Sequence, residues 1–189
     1  MKDSHKMLIV GLLIVGGMTL DYRWDQEQQK FLERAEHCCS SSTVPALTRE
    51  QKTYRALFQK HGSPAPDAMA RAVTVAKPKN RPLLAAVAII ESNANPRAVG
   101  DDGKSIGAWQ IQPHHWGKVS TDDPAQQALL AERIIEELVA SEPRGSLRRN
   151  ARRIRAGLAA YNGGTRPHRC SWRYADRVLA LSKKLRLEV

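Results

Sequence analysis

Cysteine is scarce in this chain. Three cysteines in 189 residues, Cys38, Cys39 and Cys170, are too few for a disulfide scaffold, and their odd number leaves at least one thiol unpaired within a monomer. Stability must therefore come mostly from packing. Twelve glycines and ten prolines are also too few for a collagenous or low-complexity chain. Long hydrophobic runs are missing apart from one near the N-terminus, which excludes a polytopic membrane protein, and no internal repeat occurs at solenoid periods. What is present, 42% hydrophobic and 26% charged residues, is material for one ordinary domain plus extensions.

The acidic side of the charge balance is thin, and unevenly so. The formal net charge is +11. Residues 1–143 hold 17 bases and 17 acids, whereas Arg144 to Val189 hold 13 bases against Asp176 and Glu188 alone. The whole excess thus lies in the last 46 residues, including Arg148, Arg149, Arg152, Arg153 and Arg155. Such a surface suits a polyanion: nucleic acid, acidic lipid or an anionic wall polymer.

The single apolar run is Met7 to Leu20, 14 residues with Thr19 the only polar one, preceded by Lys2 and Lys6. At a rise of ~1.5 Å per residue it reaches about 21 Å, short of a ~30 Å hydrocarbon core. It reads as an export signal or a marginal membrane anchor, with the positive flank inside and the rest of the chain outside the cytoplasm. No small-x-small site follows before Asp21, which favours the uncleaved anchor, and three glycines disfavour a buried core helix. Residues 21–65 form a predicted helical stalk and linker. Trp24, Phe31 and Ala35 share one face, Cys38 to Pro45 breaks the helix, and Thr48 with Gln51 fits a capping box for a second one. Pro66 starts the next helix, and the compact domain is expected to begin between Thr48 and Pro66, with 66–189 as its main body.

Within that body the pattern is helical. Pro82 opens an apolar helix, Leu83 to Ile90, that ends on Glu91-Ser92 before the turn Asn93-Ala94-Asn95-Pro96. Residues 98–106 predict a tight turn or small β-hairpin. Asp122-Asp123-Pro124 caps a long helix with Leu129, Leu130, Ile134, Leu138 and Val139 expected inward. Two last helices, 147–161 and 172–187, are split by Asn162-Gly163-Gly164 and Pro167, and His114-His115 reads as a solvated turn. The stretch Ala98 to Ser105 comes near a P-loop, but two aspartates inside it and Pro113 soon after argue against a phosphate cradle.

Glu91 is the first candidate for chemistry. A carboxyl group at the end of so apolar a helix loses hydration, which raises its pKa towards values useful to a general acid. Glu91-Ser92, then Gly107-Ala108-Trp109-Gln110-Ile111 with Gln110 nineteen residues on, then Ala159-Ala160-Tyr161-Asn162-Gly163-Gly164 with Tyr161 another 51 on, form an ordered set. With Asn95-Pro96 between the first two and Tyr174 near the end, this set resembles the catalytic domain of lytic transglycosylases, over about residues 66–189. The resemblance implies a mainly α, lysozyme-like α+β domain with a small β-hairpin. It also implies cleavage of peptidoglycan between N-acetylmuramic acid and N-acetylglucosamine, by one Glu acting as acid and then base and leaving a 1,6-anhydro sugar. Glu91 matches that catalytic residue. Ser92, Gln110, Tyr161, Asn162 and Tyr174 match substrate-binding positions, with Tyr161 expected to hydrogen-bond Glu91 or the substrate's N-acetyl group. Trp109 and Gln112 are weaker matches. No cofactor or metal is implied.

Departures matter too. Ala108-Trp109 replaces the family's Leu-Met pair, Gln112 stands where Met often occurs, and Gly100 stands where some members carry a sugar-contacting Ser. These differences imply a reshaped aglycone side. Asp101 and Asp102 raise a rival, a hydrolytic muramidase in which one of them activates water, although Asp-Asp-Gly also serves as ordinary turn chemistry. A third reading is a nucleic-acid-binding protein that uses the arginine-rich helix with Trp172 and Tyr174 as stacking groups; export across a membrane disfavours it. His37, Cys38, Cys39, His168 and Cys170 lack zinc-ligand spacing. In an oxidising periplasm Cys170 is expected to pair with Cys38 or Cys39. The sequence-level expectation is an envelope enzyme, anchored in or exported across the inner membrane, that opens the wall locally for a phage or envelope-spanning machine.

Overall fold

Thr48 sets the first helix. Its hydroxyl accepts from the Gln51 backbone N–H at 3.2 Å, and the Gln51 side chain accepts from the Thr48 N–H at 3.0 Å, the reciprocal capping box expected from sequence. The computed structural model describes residues 45–141, 147–164 and 166–188. The apolar run 7–20, the 21–37 stalk and Cys38-Cys39 lie outside the described residues. Among the described ones no helix is long and apolar enough to cross a membrane.

Helix α1 (Arg49–Lys60) was grouped by sequence with the 21–65 stalk and linker, but it belongs to the compact unit that runs from Leu47 to Val189. Tyr54, Leu57 and Phe58 recur on one face and are buried against α2 (Pro66–Val75), so the helix adds a layer to the core. Pro66 opens α2, as its fixed φ and missing N–H favour. After a 3₁₀ turn (Pro78–Asn80), Pro82 stands in the first turn of α3 (Arg81–Ser92).

Helix α3 is the central element. Leu84 to Ile89 are all buried because α7 packs along it and α2 and α5 flank it, so an all-round apolar sequence is required. Asn93 ends it in the left-handed conformation (φ 53°), which asparagine tolerates. Strands β1 (Val99–Gly100) and β2 (Ser105–Ile106) then form the expected hairpin, antiparallel with Val99 opposite Ile106. Ile106 also bridges to Ile111. The His114-His115 segment is one helical turn, α4 (Pro113–Trp116), rather than a simple solvated turn, although both imidazoles are exposed.

Asp123 caps α5 (Pro124–Ser141) by accepting from the Gln126 N–H at 3.0 Å. Its buried stripe is Gln127, Ala128, Ala131, Glu132, Ile134 and Ile135, so Leu129, expected inward, is only half-buried. The helix is rolled to bring the Gln127 amide inside, where it is fully occupied as described below. Helices α6 (Leu147–Gly163) and α7 (Arg169–Glu188) complete the bundle, α6 against α5 and α7. The result is the mainly α, lysozyme-like architecture with one small hairpin.

The arginines of the basic region do not form one uniform face. Arg155 grips Asp176 through two bonds of 2.6 and 2.8 Å and lies 4.8 Å from the centre of the Trp172 ring. Trp172 is half-buried, and Arg155 occupies one face of its ring. Cys170 is exposed, and its suggested partners fall outside the described residues.

Candidate active site

Three elements converge on Glu91. It stands in the last turn of α3, half-buried, and its Oε1 accepts a 2.6 Å hydrogen bond from the Tyr174 hydroxyl of α7. Oε2 has no partner among the described residues. Burial pushes the carboxyl pKa up to about 7; the Tyr174 bond opposes this by favouring the charged form, and the nearby Asp101 charge adds to it. Tyr174 and Tyr161 are held well above their usual range, by burial first and then by the Glu91 charge, so both phenols stay neutral hydrogen-bond donors.

Tyr161, at the end of α6, does not bond Glu91 as sequence suggested. Its hydroxyl donates to the Trp109 carbonyl at 2.7 Å. The two tyrosines thus divide the work: Tyr174 holds the carboxyl group and Tyr161 holds the loop opposite. Ser92 belongs to the same fastening rather than to a sugar contact, since its hydroxyl donates to the Ala108 carbonyl at 2.8 Å and accepts from the Asn95 N–H at 3.0 Å. Trp109 is fully buried with its indole N–H on the Leu84 carbonyl at 3.0 Å, so it anchors the core and cannot contact substrate. Ala108 is fully buried as well, so the Ala108-Trp109 departure does not reshape the groove.

Gln127 is the residue that sequence reading missed. Its side-chain oxygen accepts from the Ala108 N–H at 2.9 Å, while its amide nitrogen donates to the carbonyls of Pro96 at 2.9 Å and Ser120 at 2.6 Å. One buried amide thereby ties three loops together. The available signal was a polar residue on the otherwise apolar stripe of α5, a position type it shares with Glu132.

Residues 110–112, with parts of α3, α4, α5, α6 and the hairpin, frame a cavity of about 950 Å³. Glu91, Gln110, Tyr161 and Asn162 line it, joined by Gln112, Asp101, His115 and Trp116; Ser92 and Tyr174 do not. Gln110 is held at φ 49°, with its amide nitrogen donating to the Gly107 carbonyl at 2.9 Å. Among the described residues, no three His, Cys, Asp or Glu side chains are grouped so as to hold a metal ion. A half-buried acid with a raised pKa, set in the wall of a cavity with several polar side chains, is equipped to protonate a leaving-group oxygen.

Residues 69–180 match the family model described as the transglycosylase SLT domain. The chain belongs to the transglycosylase SLT domain family. No curated protein matches the chain. The SLT domain supports a peptidoglycan-cleaving function of the lytic transglycosylase type, with glycan strands as substrate. The SLT motif residues now have distinct structural places, with Gln110 and Asn162 on the cavity wall and Tyr174 behind the acid. Gly100, where some SLT members carry Ser, has a steric explanation: a Cβ there would lie 2.1 Å from the Gln110 side-chain oxygen. The missing side chain makes room for Gln110.

The geometry predicts a pH profile. An acid with pKa about 7 is protonated below neutrality, so glycan cleavage by this SLT domain falls as pH rises through about 7. Tyr174→Phe removes the bond that favours the ionised carboxyl group, which raises the pKa and moves the alkaline limb to higher pH. Rates of sacculus solubilisation across pH 5–9 test both statements. Uniform loss of activity with no movement of the limb would reduce Tyr174 to a packing role.

Proposed function

We propose that Glu91 cleaves the β-1,4 bond between N-acetylmuramic acid and N-acetylglucosamine without consuming water. Protonated Glu91 gives its proton to the glycosidic oxygen as the bond from that oxygen to C1 of the muramic acid residue breaks, and the N-acetylglucosamine leaves with a free C4 hydroxyl. The substrate's N-acetyl oxygen stabilises the positive charge at C1. The Glu91 carboxylate then takes the C6 hydroxyl proton as O6 bonds to C1, giving the 1,6-anhydro sugar and restoring the acid. The observation that carries this reading is a carboxyl group with pKa about 7 on the cavity wall, one oxygen held by Tyr174 and the other open. Such a group can both give and take a proton near neutrality.

One observation favours a second reading. Asp101 lines the same cavity, and its charge acts on Glu91, so a hydrolytic muramidase with Asp101 activating water is the competitor. Asp101 is otherwise engaged as a turn residue at φ 50°, accepting from the buried Ser105 hydroxyl. Asp101→Asn keeps that bond and tolerates the backbone. If Glu91 works alone, sacculus cleavage stays within about threefold and its alkaline limb shifts slightly down, because a neighbouring negative charge is gone; a fall of about 100-fold or more would favour the hydrolase.

The biological setting belongs to the same proposal. Met7 to Leu20 serves as anchor or export segment, with the SLT domain on the periplasmic side of the inner membrane, and the basic C-terminal region holds anionic wall polymers or lipid. The same proposal extends to local wall opening for a phage or envelope-spanning machine, which the anchor-like run Met7 to Leu20 supports.

A further inference from the structure

A second cleft, of about 610 Å³, lies on the other side of α5. Ile134 and Leu138 face the catalytic cavity, whereas Ile135 and Val139 face this cleft, and the two linings share no residue. Its wall is largely hydrocarbon, from Leu83, Ile135, Val139, Ile154 and Leu179. Cavities of this size and lining commonly take small apolar ligands with a few polar anchors.

The charges around it are lopsided once their partners are traced. Glu132 accepts from the Lys77 N–H and the Asn80 side chain, and Glu136 accepts from Asn80 and the Lys77 ammonium, so both acids are engaged by the 3₁₀ turn. Arg153 reaches the Val139 carbonyl with one nitrogen at 2.9 Å, but its Nε is buried without a hydrogen-bond partner among the described residues. An unsatisfied buried donor is costly unless something supplies an acceptor. Lys183 and Arg186 also line the cleft and have no ion pair among the described residues; both are exposed. One residue further on, Leu187 is 85% exposed.

We propose that this cleft binds an acidic phospholipid, one acyl chain entering between α5, α6 and α7 and the phosphate resting on Arg153, Lys183 and Arg186. Charge complementarity demands an anion, and the hydrocarbon wall demands an alkyl chain. A wall polymer or a nucleic acid brings the first without the second. Leu187 at the end of α7 would dip into the same lipid surface. The site would dock the domain on an anionic membrane independently of residues 7–20.

The test uses the full chain in a non-ionic detergent with dioctanoyl phosphatidylglycerol carrying a photoreactive group in its tail. Adducts are expected on peptides holding Leu83, Ile135, Val139, Ile154 or Leu179, competed by unlabelled dioctanoyl phosphatidylglycerol but not by dioctanoyl phosphatidylcholine. The exposed-residue variant Lys183→Glu/Arg186→Glu should lower labelling about tenfold or more with its thermal denaturation midpoint unchanged. Adducts confined to residues 1–44, equal competition by phosphatidylcholine, or labelling unmoved by charge reversal would overturn the proposal. So would lipid-free cross-links that place residues 1–44 or a second copy in the cleft.

Discussion

Glu91→Gln is expected to lower glycan cleavage by about a thousandfold or more, within the range that general acid–base catalysis contributes. Glutamine keeps the shape and can still accept from the Tyr174 hydroxyl, so the bond that places residue 91 survives. What disappears is the transferable proton. The variant should still bind sacculi, because the cavity wall of Gln110, Tyr161 and Asn162 is untouched. Burial that opposes ionisation of Glu91 is also relieved, so the variant should be no less stable than the parent above pH 7. The sign follows from a folded-state pKa raised above the unfolded one: stability is fullest below the unfolded pKa and is lost as pH rises through about 7. Parallel measurements of soluble muropeptide release and of pelleted protein separate loss of chemistry from loss of binding. Full activity in Glu91→Gln would refute the assignment.

Gly107→Ala is expected to be the most damaging small substitution. Gly107 sits at φ +79°, where a side chain costs about 1–3 kcal/mol, and its Cβ would lie 2.2 Å from the Gln127 side-chain oxygen. That oxygen is bonded to the Ala108 N–H, so moving it strands a buried donor at a further ~1–3 kcal/mol. The expected loss of about 3–5 kcal/mol is a large part of a typical domain's stability. Thermal denaturation should move down by roughly 10 °C. Gly103→Ala is the matched control: φ +89° with nothing within 4 Å of the new Cβ, so only the backbone cost applies. Equal effects at both positions would show that the Gln127 tie is unimportant.

Local chemistry was legible in the sequence. The Thr48-Gln51 capping box, Pro66, and the apolar helix ending on Glu91 act within a few residues of themselves, and the structure has all three. The 98–106 hairpin also formed. What was hidden depends on how helices are rolled and seated. Tyr161 and Tyr174 stand on neighbouring helices, and only the seating of α7 on α3 decides that Tyr174 reaches Glu91 while Tyr161 meets Trp109. Ser92 and Trp109 sit in motifs that imply sugar contact, yet their polar atoms serve the loop and the core. The basic run was visible as a count, but not that Arg155 is spent on Asp176 while Arg153 turns into a cleft. The start of the compact domain was legible only as the range Thr48 to Pro66, because α1 joins it through burial against α2.

The most direct measurement is the mass of muropeptides released from purified sacculi. A proton shuttle through Glu91 that closes O6 onto C1 yields 1,6-anhydro ends and no product carrying the added water. Reducing ends, heavier by one water molecule, would contradict non-hydrolytic cleavage and move the chemistry to an Asp101-activated water.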